Sequence, residues 1–261
     1  MNDLFFFLRQ GWKNIWNMRA VWLFSALPVF NSLIRLLLSR QQTEPLLILL
    51  SLLGNILTLI LLITGAIGVP YIAYCFSNGK PATSRDALSA VGEFGVRIIL
   101  SGCLGILVIA PCLLLALGLS LDTSTQPPEL LNRFFILALP VSLLNAMFYF
   151  PLFEFFAKDA RIQQSIRESW NLFTSHFRVL AVLGILFTGV YRVIYAAAGF
   201  LTVLLQSGFD VPALRTLNFV NPSASLRGNL LFLFINGAMQ MILTVWTASI
   251  FALAYLKYRK K

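Results

Sequence analysis

Hydrophobic runs long enough to cross a bilayer recur six times along this chain, at roughly Ala20–Leu38, Leu46–Ala73, Val96–Leu119, Phe134–Ala157, Val179–Leu205 and Leu230–Leu256. About 20 apolar residues wound as an α-helix cross the ~30 Å of hydrocarbon. In lipid every backbone amide and carbonyl must find its partner within the chain, which leaves helices or a closed barrel. The short alternating segments of a membrane β-barrel are absent. Charge is scarce, at 11% of residues against 58% hydrophobic, where a soluble chain carries about a quarter. The expected fold is an all-α integral membrane bundle of six transmembrane helices.

The distribution of charge gives the expected orientation. With six spans, the two termini and the segments 77–95 and 158–178 share one side. Arg9, Lys13, Arg19, Lys80, Arg85, Arg97, Lys158, Arg161, Arg167, Arg178 and the final Lys257-Tyr258-Arg259-Lys260-Lys261 fall there or at its span boundaries. Arg40, Arg133, Arg215 and Arg227 fall opposite, with Arg35 near the end of the first run. Excess Lys and Arg marks the cytoplasmic side, so both termini are expected there. The net charge of +10 is then a basic rim suited to anionic lipid head groups rather than to nucleic acid. Arg9, Lys13 and Arg19 before an apolar run suggest a secretion signal. The run is too long for one, however, and Leu38-Ser39-Arg40 has no small-residue cleavage pattern, so it reads as an uncleaved span. Cys75, Cys103 and Cys112 show neither metal spacing nor a paired framework and read as buried thiols.

A degenerate internal repeat organises the chain. Leu8-Arg9-Gln10-Gly11-Trp12 precedes the first run and Ile166-Arg167-Glu168-Ser169-Trp170 the fifth. Ala87-Leu88-Ser89-Ala90-Val91-Gly92 before the third is a fainter copy, without the Trp and Arg. Ile162, Ile166, Trp170, Phe173 and Phe177 recur at the spacing of one helix face, and Leu4, Leu8, Trp12 and Ile15 make a similar stripe. Thr83 with Asp86 three residues later is a helix-capping pair. A helix with an aromatic apolar face and a basic polar face suits the membrane interface. The expected unit is one interfacial amphipathic helix followed by two spans, used three times, at about 1–80, 81–158 and 159–261 of a single membrane domain. Arg9, Trp12, Arg167, Trp170 and Arg178 are its candidate lipid-contact residues. Among the opposite loops, Leu121–Arg133 carries Pro127-Pro128 and Ser207–Gly228 is the longest, with a candidate short helix at Val211–Leu217.

With its Leu-Arg-x-Gly-Trp segment, the basic residue before each span and the tripled helical pairs, the chain resembles the uncharacterised bacterial six-helix membrane proteins. Those resemble in turn the membrane domain of glycerophosphodiester phosphodiesterases. Gly92 takes the Trp position in the middle copy, a departure from that pattern. No hydrophilic region is long enough for a soluble phosphodiesterase domain. The resemblance implies a membrane domain in the bacterial inner membrane without the catalytic partner.

Polar groups within the runs are the remaining candidates. Arg192 sits near the middle of the fifth, where a charge costs at least ~2.5–3.5 kcal/mol. Glu154, after Pro151, is the acidic residue within a hydrophobic stretch, although its expected depth differs by several turns. An ion pair with Glu154, hydrogen bonds to Tyr191 or Tyr195 in a cavity, or snorkelling would each satisfy Arg192. Asn236, Gln240 and Thr244, four apart, share one face of the sixth span and either line a polar path or bond to neighbouring helices. Asn31, Asn55, Thr58 and Asn145 are further candidates. Glycine pairs such as Gly65/Gly68 and Gly102/Gly105, and Gly184/Gly189, mark close helix packing or bends. His176 reads as an interfacial surface residue; no zinc pattern, nucleophile elbow, aspartate pair or phosphate loop occurs. The expectation is a non-enzymatic protein without cofactor or metal, whose partners are lipids together with another protein or a second copy of the chain. Its role would be envelope maintenance or complex assembly. The competing expectation is a small-solute transporter or channel with an anionic substrate near Arg192.

Overall fold

The computed structural model describes residues 2–38, 45–120, 149–158, 161–206 and 226–259, and all its described regular structure is helical. The helices are α1 (Asn2–Asn17), α2 (Val21–Leu38), α3 (Pro45–Ser77), α4 (Ser84–Ser120), α5 (149–158), α6 (Ile162–Ser175), α7 (Phe177–Gln206) and α8 (Leu226–Arg259). Among them Leu52–Ser77, Ser84–Leu104 and Phe232–Arg259 are long and apolar enough to cross a membrane. The bent pair α6–α7 makes a fourth if taken as one broken span, and Val21–Ile34 is a shorter apolar helix. Most of the fourth hydrophobic run and the loops at 39–44, 121–133 and 207–225 lie outside the described residues.

The N-terminal half of α3 exposes Leu52, Leu53, Ile56, Leu57, Leu59 and Ile60, each about half accessible or more. Contiguous apolar surface of that extent is costly in water and natural in lipid. Among the described residues burial concentrates at the other end of the bundle. There α8 touches α1, α2, α3 and α7, while α3 also packs on α2 and α4. Backbone proximity depends on missing side chains: a Cβ at Gly68 would collide with the Phe24 ring, and one at Gly237 would lie 2.7 Å from Val29 Cγ1. At Gly102 and Gly189 the close-packing half of the expectation does not hold, since nothing lies within 4 Å of a Cβ built at either. Cys103 is exposed and Cys75 half-buried, so the expectation of buried thiols fails for both. The Cys112 side chain is outside the described set.

The core at the well-packed end is aromatic. Phe153 of α5 stacks on Tyr74 of α3 at 5.9 Å and meets Tyr255 of α8 at 5.4 Å. Tyr149 stacks on Phe251 at 5.1 Å, and Phe187 of α7 meets the same ring at 6.1 Å. Each offset or edge contact adds about 0.5–1.5 kcal/mol beyond area burial.

Local signals set the α3–α4 hairpin. Lys80 N–H donates to Cys75 O and Gly79 N–H to Phe76 O, with Gly79 at φ +75°. That closes α3 with a left-handed cap that glycine takes without steric cost. The next helix opens on the capping pair expected from sequence. Thr83 N–H donates to Asp86 Oδ2 at 2.8 Å, and Asp86 N–H to Thr83 Oγ1 at 3.3 Å.

Two expectations about the amphipathic segments need correction. The middle copy forms no separate interfacial helix, because α4 runs unbroken from Ser84 to Ser120. The outer two copies do break from the helices that follow, at Met18–Ala20 and at His176, and α6 meets α7 at 95°. The second correction concerns the docking face. In α1 the buried residues are Phe7, Gly11, Asn14 and Ile15, followed by Met18 at the break, and in α6 they are Ser165, Ser169 and Phe173. Trp12 and Trp170 stay 46% and 45% exposed, so the tryptophans flank the docking face instead of forming it. The physical reason is the small residue beside each: Gly11 lets α1 approach until its Cβ position falls 2.5 Å from Ile250 Cγ1.

Candidate functional site

Chemistry-bearing side chains gather where α1, α5, α6 and the last turns of α8 meet. α1 leans along α8 in the antiparallel sense. Asp3 takes a 2.7 Å ion pair from Lys257 and a 3.4 Å hydrogen bond from Tyr258 Oη, and Trp246 Nε1 donates to Leu8 O at 3.3 Å. Lys257 also lies over the Phe6 and Phe7 rings, at 5.3 and 5.5 Å. His176, at the α6–α7 corner, is half-buried and stacks on Tyr258 with centroids 3.9 Å apart. It is a corner residue of the packed end, not the surface residue expected.

Glu154 is the centre of a charged cluster and is 3% exposed. Tyr255 donates to its Oε1 at 2.7 Å, Arg259 Nε lies 3.8 Å from the same oxygen, and Lys158 Nζ lies 3.7 Å from Oε2. Lys158 bridges onward to Glu168 of α6 at 2.9 Å, and Gln164 donates to the other Glu168 oxygen at 2.9 Å. Those two hydrogen bonds, led by the Lys158 ammonium, hold the Glu168 carboxyl down at about 2. The cluster ties α5, α6 and α8 together through ionic contacts half shielded from water, where they are worth more than exposed surface pairs.

The helix carrying Arg192 meets α8 at a different level from Glu154. The neighbour of Arg192 on that helix, Tyr191, accepts a 3.2 Å hydrogen bond from Gln240 Nε2 of α8. Gln240 and Tyr255 are fifteen residues, about 22 Å, apart along α8. Glu154, at Tyr255, is balanced by Lys158 and Arg259. The Arg192 side chain lies outside the described residues.

The other candidates separate. Gln240 joins α8 to α7, Thr244 is half-buried, and Asn236 has a buried Oδ1 with no hydrogen-bond partner. Asn31 Oδ1 and Thr58 Oγ1 share that condition, whereas Asn55 is exposed. Arg9, Arg167 and Arg178 are all exposed on the basic end. Trp12 packs edge-on against Trp16 at 6.0 Å and against Trp246 at 5.8 Å, and Trp16 lies 6.0 Å from Trp22. The sequence singled out Trp12 but missed this grouping of four tryptophans. Trp12 and Trp16 at helical spacing on one face was the available signal. Among the described residues no group of three or more His, Cys, Asp and Glu is placed to hold a metal.

No family model, curated protein or solved structure matches this chain.

Proposed function

We propose that this is a non-enzymatic multi-pass protein of the bacterial inner membrane, with six spans in three related pairs and its basic end in the cytoplasm. It acts through lipid and protein contacts, in envelope maintenance or complex assembly. The observation that carries the reading is the exposed face of α1. Phe5, Phe6, Trp12 and Trp16 stand on it, each at least 46% accessible, beside Arg9 and Lys13. Aromatic rings interleaved with cations favour the head-group region of a bilayer. Behind that face the ionic groups Glu154, Lys158, Glu168, Arg259, Asp3 and Lys257 pair with one another, which suits a scaffold. The likeness of the Leu-Arg-x-Gly-Trp segment to membrane domains lacking their phosphodiesterase is part of the same reading.

The second reading is a small-solute transporter or channel with an anionic substrate near Arg192. The unpartnered oxygens of Asn31, Thr58 and Asn236 favour it, since polar groups inside a membrane bundle mark substrate paths. Labelling decides between the two. A cysteine replacing Gln240, in a chain freed of its native cysteines, is exposed to a membrane-impermeant thiol reagent on both faces of the bilayer. A dry scaffold gives no reaction; labelling from either face establishes an aqueous path and the transport reading.

A further inference from the structure

A cleft of 570 Å³ opens where the α1–α2 corner meets the α3–α4 hairpin. Its polar rim includes Asn17, Arg19, Thr83 and Ser84, and its floor includes Leu23, Ile72 and Phe76. We propose that this cleft binds one anionic glycerophospholipid, its phosphate at Arg19 and one acyl chain running out over Leu23. The proposal rests on the membrane reading above and names a partner for it.

Charge, shape and depth support that occupant. Arg19 is exposed at the rim, and Lys80 and Arg85 bracket the Pro81–Ser84 wall in sequence with exposed side chains. The acidic group there, Asp86, is engaged by the Thr83 amide and hydroxyl, both at 2.8 Å. Arg19 in the lining, with Lys80 and Arg85 next in sequence to the wall and the one nearby carboxylate already satisfied, favours a phosphate. The floor continues onto apolar surface: Leu23 is 59% exposed, and Phe30, two turns further on the same face of α2, is 56% exposed. An acyl chain leaving the cleft therefore stays on apolar side chains. Trp16 and Trp22, flanking the corner, are side chains that settle at head-group depth. A polar peptide would leave Leu23 and Phe30 uncovered, and a soluble anion would leave the apolar floor empty.

The test uses the full chain in vesicles, with Trp170→Phe so that emission comes from Trp12, Trp16, Trp22 and Trp246. Phosphatidylglycerol and phosphatidylcholine with brominated acyl chains are compared at equal mole fraction as quenchers. Preferential quenching by the phosphatidylglycerol is expected, with Arg19→Gln reducing that preference about fivefold and Arg161→Gln, at an exposed basic residue away from the cleft, leaving it unchanged. Equal quenching by the two lipids, the result of a cleft filled by a second copy of the chain, overturns the proposal. So does an equal loss in Arg19→Gln and Arg161→Gln, which would mean diffuse attraction to the whole basic rim. Either outcome leaves the membrane reading standing; absence of quenching by both lipids would remove that reading as well.

Discussion

Replacing Tyr255 by Phe removes one oxygen from a buried side-chain hydrogen bond to a carboxylate. That hydroxyl donates to Glu154 Oε1 at 2.7 Å, with Tyr255 1% and Glu154 3% exposed, so water cannot take its place. Arg259 and Lys158 remain, but at 3.8 and 3.7 Å they are ionic neighbours and do not replace the lost bond. A hydrogen bond to a charged group contributes about 1.5–3 kcal/mol, against about 1 kcal/mol between neutral partners. Tyr255→Phe should therefore destabilise by about 2 kcal/mol in the native chain and by only about 1 kcal/mol once Glu154→Gln has neutralised the acceptor. The assay is a double-mutant cycle in detergent micelles, following tryptophan emission through denaturation. A coupling of about 1 kcal/mol is expected. Equal losses in both backgrounds, or a loss within error in the native chain, would refute a charged, tyrosine-satisfied Glu154.

Gly68→Ala forces a methyl group into the Phe24 ring and should cost about 1–3 kcal/mol, whereas Gly92→Ala, with nothing within 4 Å, should be neutral or stabilising; thermal denaturation in micelles ranks the pair. The depressed Glu168 carboxyl gives a signed pH dependence. Its contribution is complete above the ordinary carboxylate value of 4.5 and is lost as pH falls toward about 2. The stability difference between native chain and Glu168→Gln should therefore shrink over that window, and a difference that grows on acidification would contradict the Lys158 pairing. Thr83→Ala removes the α4 cap and should cost about 1 kcal/mol, seen as faster amide exchange in the first turn of α4.

What was legible in the sequence was what depends on near neighbours. Thr83 and Asp86 cap α4 because the bonding groups are three residues apart, and the long apolar runs at 46–73 and 230–256 became helices α3 and α8. The amphipathic segments were visible, but which face of each would dock was not. In α1 both the Trp12 side and the Phe7–Gly11–Ile15 side are apolar enough to bury. Only the proximity of α8, admitted by Gly11, selects the second. The middle segment lacks the break supplied at Met18–Ala20 and His176, so the periodicity at 87–94 continued into α4. Glu154 was found as an acidic residue in an apolar run, yet its donor Tyr255 lies 101 positions away. No local pattern pairs them, so the sequence offered Arg192 as a partner and gave no sign of Tyr255.

Sidedness tests the central proposal most directly. In a cysteine-free background, single cysteines replace Lys80, in the α3–α4 turn, and Ser223, which the six-span proposal puts on the opposite side. Each is challenged in intact cells with outer membranes opened, using a reagent that cannot cross the inner membrane, and again after that membrane is permeabilised. The Ser223 cysteine should react in both states and the Lys80 cysteine only after permeabilisation. Reaction of the Lys80 cysteine in intact cells would contradict a cytoplasmic basic end, and identical behaviour at both positions would contradict the six-span topology itself.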